Sequence, residues 1–105
     1  MKLMTKELIK KLPKPYSTEK LAKEEVPIVA KFFDPCGSWT WYVTEGEVQE
    51  DGDIRFFGLV RGFETELGYF MLSELEAIQR PFGLGIERDL YFGEHTLAEA
   101  LESQI

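Results

Sequence analysis

The stretch from Pro27 to Ser73 does most to constrain this chain, because it holds four successive runs of strand-favouring residues separated by turn residues. Ser38 to Glu45 alternates most clearly. Trp39, Trp41 and Val43 point to one face, and Thr40, Tyr42 and Thr44 to the other. Ile28 to Phe33 forms the preceding strand, with Ile28, Ala30 and Phe32 opposite Val29, Lys31 and Phe33, and Asp34, Pro35, Cys36 and Gly37 turn the chain back. A third strand spans Ile54 to Val60 and a fourth Thr65 to Leu72, with Gly46 to Asp53 as an acidic connecting loop. Asp51-Gly52 tolerates the positive φ that such a loop needs near its end.

Helix signals flank this core. Thr5 caps a short helix whose stripe is Leu8, Ile9 and Leu12, and Pro13 and Pro15 stop it. Residues 16 to 27 read as a loop with one helical turn near Thr18 to Lys23. Ser73 and Glu76 fit a capping box for a middle helix, and Thr96 and Glu99 repeat it for a C-terminal helix carrying Leu97, Ala100 and Leu101. Ile86 to Phe92 is a fifth strand or an extended segment. The expected fold class is α+β: an antiparallel four- to five-stranded meander with short N-terminal, middle and C-terminal helices packed on one face. A length of 105 residues leaves room for a single domain.

Charge is distributed unevenly. All eight lysines fall within residues 1 to 31, a segment of net +4, whereas residues 32 to 105 carry −11. An acidic body of this kind is repelled by phosphate backbones and anionic lipid, so direct nucleic-acid binding is disfavoured. No apolar run reaches the roughly 20 residues of a membrane-spanning helix, and no secretory leader is visible. Cys36 is the only cysteine, which excludes an internal disulfide and fits a reducing, cytoplasmic setting.

Catalytic signals are thin. Cys36 and His95 lack any nucleophile motif around them and read as a turn cysteine and an exposed histidine. Gly83-Leu84-Gly85 matches part of a dinucleotide fingerprint without its strand and helix context, and reads as a turn. Glu74 and Glu76 are explained by capping. The carboxylates Glu45, Glu47, Glu50, Asp51 and Asp53 do not have calcium-loop spacing and read as a solvated hairpin, so no metal or cofactor is implied.

Aromatic residues carry the stronger signal. They make up 13% of the chain and fall on both faces of the expected sheet, more than a core beneath one face absorbs. Trp39, Trp41, Tyr42, Arg55, Phe57 and Tyr69 are therefore the candidate binding surface, and a protein is the expected partner.

The stretches Trp39 to Glu45, Phe56 to Val60, Gly62 to Glu64, Glu66 to Leu75 and Ile86 to Asp89 together resemble a bacterial family of unknown function, numbered 2958. The resemblance implies a small bacterial accessory protein of plasmids or other mobile elements, and no catalytic residues come with it. The leading expectation is a non-enzymatic interaction module. A second is an acidic nucleic-acid mimic that inhibits a host defence enzyme through Glu45, Glu47, Glu50, Asp51 and Asp53. A third is a small enzyme using Glu66, Arg88 and Asp89.

Overall fold

The computed structural model describes residues 1–105. Helix α1 spans Lys6–Lys11, strands β1 to β4 span Ala30–Phe33, Thr40–Val48, Ile54–Arg61 and Thr65–Met71, helix α2 spans Leu72–Ala77, strand β5 is the two-residue Glu87–Arg88, and helix α3 spans Leu97–Glu102. The strands form one antiparallel sheet in the order β4-β3-β2-β1-β5. The expected α+β meander is present.

Alternation along the strands sorts the large side chains onto two faces. Phe32, Trp41, Val43, Ile54, Phe56 and Phe70 lie on what we term the tryptophan face and pack with Leu3, Met4 and Leu75. Phe32 and Phe56 are fully buried, each stabilising by roughly 1.5–3 kcal/mol. Tyr42 and Leu59 lie on the opposite, tyrosine face, against Val26, Ile28, Leu97 and Ala100.

The helices divide between these faces, where the sequence reading had all three packed on one. α1, through Leu8, Ile9 and Leu12, and α2, through Leu75, cover the tryptophan face, whereas α3 covers the middle of the tyrosine face. Each face presents too much apolar surface to stay open, so a single covering layer does not suffice.

Local differences from the sequence reading have identifiable causes. β2 runs on past Glu45 to Val48, so Glu47 is a strand residue and the turn shrinks to residues 49–53. Ile28 leaves the expected company of Ala30 and Phe32 because its N–H bonds His95 O at 2.9 Å and Leu97 N–H bonds Val26 O at 2.8 Å, which docks that segment onto α3. α2 starts at Leu72, with its cap at Met71 two residues before Ser73: Glu74 accepts the Met71 N–H at 2.9 Å, and Ser73 binds Asp53 instead. Thr5 and Thr96 cap α1 and α3 as expected, with Glu99 accepting the Thr96 N–H at 3.1 Å. Within α3 the buried residues are Leu97, Ala98 and Ala100, and Leu101 is exposed.

Candidate binding groove

The register of β2 on β3 shifts between Val43 and Glu45, leaving Thr44 as an extra residue. A bulge of this kind re-aims the residues after it. Glu45 thereby pairs with Phe57 on the tyrosine face, and Gly46 turns to the tryptophan face against Leu12. Glu45 is only 5% exposed. Its Oε1 accepts the Tyr16 N–H at 2.8 Å, and its Oε2 accepts the Thr18 N–H at 3.1 Å and the Thr18 hydroxyl. One side chain thus pins the segment after α1 over the sheet, and Tyr16 takes a left-handed φ of 66° there.

Between this segment and the sheet lies a groove of about 290 Å³, lined by Tyr16, Leu21, Phe57, Leu67 and Tyr69, with Glu45 and Thr44 within it. The Phe57 and Tyr69 rings meet edge to face at 5.0 Å. Arg55 stacks over Tyr69 with its guanidinium 4.7 Å from the ring centre. The protein's ion pairs are Lys31–Asp89 and Arg80–Asp34, and Glu99 hydrogen-bonds His95, so Arg55 has no carboxylate partner. Hydrogen bonding toward Tyr16, then burial, raises the Tyr69 phenol above its ordinary 10.0 and outweighs the pull of Arg55. Tyr69 therefore presents a neutral hydroxyl at physiological pH.

A family model described as "Protein of unknown function (DUF2958)" matches residues 3–103. The chain belongs to the DUF2958 family. No curated protein and no solved structure matches it.

In this DUF2958 protein the six residues expected to form one binding surface are distributed over three places. Phe57 and Tyr69 come together in the groove, and Arg55 stacks on Tyr69 beside it. Trp41 is buried in the core of the tryptophan face, and half-buried Trp39 packs on it at 5.9 Å and under Phe63 at 5.3 Å. Tyr42 is 1% exposed beneath α3, its hydroxyl donating to Ile105 O. Neither Trp41 nor Tyr42 is open to a partner, because strand alternation assigns a face but does not say what covers it. Tyr16, Leu21 and Leu67 are groove residues that the sequence reading missed. Tyr16 lies in a Pro-rich turn, and nothing in its neighbours signals that the turn folds back over β2.

The acidic set of the DUF2958 chain also separates. Glu47, Glu50 and Asp51 are exposed around the β2–β3 turn, but Glu45 is buried in the groove and unavailable as surface charge. Asp53 ties the turn to α2, accepting from the Ser73 hydroxyl at 2.5 Å, the Ser73 N–H at 3.0 Å and the Ile54 N–H at 2.8 Å. Those bonds, the Ser73 hydroxyl first, hold its carboxyl below the ordinary 3.8.

Glu66, Arg88 and Asp89 do not converge. Glu66 is on β4 and Arg88 on β5, at opposite edges of the sheet and four strand spacings apart, about 19 Å. Arg88 donates to the carbonyls of Lys2 and Leu3, fastening the N-terminal segment, and Asp89 pairs with Lys31 at 3.6 Å. Cys36 follows the C-terminal end of β1 and His95 bonds just before its N-terminal end, so they too are apart. Gly83 and Gly85 belong to a turn in which Phe82 and Gly83 have positive φ. No helix is long and apolar enough to cross a membrane.

Proposed function

We propose that this protein is a non-enzymatic binding module whose ligand is an extended segment of a partner protein, seated along the free edge of β4 with side chains in the groove. The supporting observation is an aromatic patch left open beside an unpaired strand. β4 pairs with β3 alone, Tyr69 is 50% exposed and Leu67 43%. A free edge offers main-chain N–H and C=O groups at regular spacing, so an added strand gains affinity from its backbone while adjacent pockets select its side chains. Arg55, stacked and without a carboxylate, favours a ligand with Asp or Glu beside its apolar residues.

A cytoplasmic setting and an accessory role on bacterial plasmids or mobile elements complete the proposal. The first rests on cysteine usage and the second on family resemblance.

The test is to select binding peptides by display on the immobilised protein and measure them by fluorescence anisotropy. Apolar peptides flanked by acids are expected. Tyr69→Ala and Arg55→Ala should each weaken binding about tenfold or more with the circular dichroism spectrum unchanged, since stacked aromatic and arginine residues dominate such contacts. Full affinity in both variants, or amide shifts away from β4 when peptide binds, would overturn the reading.

A further inference from the structure

We infer that the other end of the tyrosine face holds a binding site for a small oxyanion, a phosphoryl group. Thr40, Arg61 and Thr65 are cross-strand partners in one row across β2, β3 and β4, and Lys31 and Tyr42 are partners in a neighbouring row. Residues 103–105 pass over them, held by Arg61, whose Nη2 donates to Ala100 O and Ser103 O, and by the Tyr42 hydroxyl. The space enclosed is about 330 Å³. Lys31, Arg61 and the hydroxyl-bearing Ser38, Thr40 and Thr65 line it.

The lining marks this cavity as an anion site. No Asp or Glu lines it, in a chain with 19 carboxylates and a net charge of −7, so Arg61, with Lys31 beside it, creates a local positive field in an acidic molecule.

Lys31 pairs with Asp89, and its ammonium carries three donors, so this one contact does not exhaust it. A phosphoryl group, with several acceptor oxygens and up to two negative charges, matches a guanidinium, an ammonium and flanking hydroxyls better than a single carboxylate does. The middle of the face, closed by Leu59, Leu97 and Ala100, separates this cavity from the aromatic groove.

Titration of the isotope-labelled protein with inorganic phosphate and, separately, with O-phosphoserine, followed by amide and arginine Nε–H shifts, tests the site. Saturable shifts are expected at Thr40, Gly62, Thr65 and the Arg61 side chain. Lys31→Met and Thr40→Val should weaken binding, the former about tenfold, with the remaining spectrum preserved. Both variants leave Arg61 in place, because it anchors the tail of α3. Equal affinity for the two probes assigns the site to the phosphoryl group itself, and tighter binding of phosphoserine assigns it to a small phosphate ester. Shifts that fail to saturate, or that saturate equally in Lys31→Met and Thr40→Val, overturn the inference.

Discussion

Glu45 joins two parts of the molecule that are far apart in sequence, because its two carboxyl oxygens accept the Tyr16 N–H, the Thr18 N–H and the Thr18 hydroxyl. Truncation would leave those donors without a partner in a place water reaches poorly. Glu45→Ala is expected to destabilise the protein by on the order of 2–4 kcal/mol, and Glu45→Gln, which keeps one acceptor oxygen, by about half as much. Urea unfolding measures both, and the Tyr16 and Thr18 amides should exchange faster in the alanine variant. Equal stability of Glu45→Ala and the native chain would mean that the loop holds itself. The sequence reading placed Glu45 in a solvated acidic cluster because a glutamate beside Gly46 and Glu47 has the composition of a turn. Its burial depends on an acceptor demand created 27 to 29 residues away, which no local pattern contains.

At the scale of elements, β2 to β4 were legible because strand-favouring residues such as Trp, Tyr, Phe, Val and Thr are concentrated in them. The bulge at Thr44 was not, since its cause lies on the neighbouring strand. Opposite it stands Gly58, where an added Cβ would meet Tyr42 O at 1.8 Å, closer than any real contact. Only glycine lets β2 and β3 approach at this point. Its partner on β4, Gly68, has nothing within 4 Å of the same position. The two glycines face one another in the sheet yet should respond oppositely. Gly58→Ala is expected to cost on the order of 3 kcal/mol and to disturb the bulge, and with it the aim of Glu45. Gly68→Ala should be neutral or stabilising by up to about 1 kcal/mol, because alanine restricts the unfolded chain without a clash. Thermal unfolding of the pair decides this, and equal losses would show that backbone approach is not what distinguishes them.

Across the whole molecule, the excess of aromatic residues correctly implied that both faces of the sheet matter, but it left open how they are covered. The answer lay in the helices and the segment leading into β1. α1 and α2 close one face, and the segment from Val26 to Ile28 with α3 closes half of the other, leaving the groove and the cationic cavity on either side of α3. Segregation of charge bears on the same arrangement, since the +4 segment of residues 1–31 wraps a body of −11. Lys31 is the only lysine in an ion pair within 4 Å, so any help from the other seven acts through the long-range field. Fields of that kind are screened over roughly 8 Å at physiological salt and over less at higher salt. Replacing the exposed Lys10, Lys11 and Lys14 with Gln moves the net charge from −7 to −10. The expected result is a lower melting temperature than the native chain in dilute buffer, with the gap closing in concentrated sodium chloride. A gap that persisted at high salt would locate the lysines' role in short-range packing of their aliphatic stems instead.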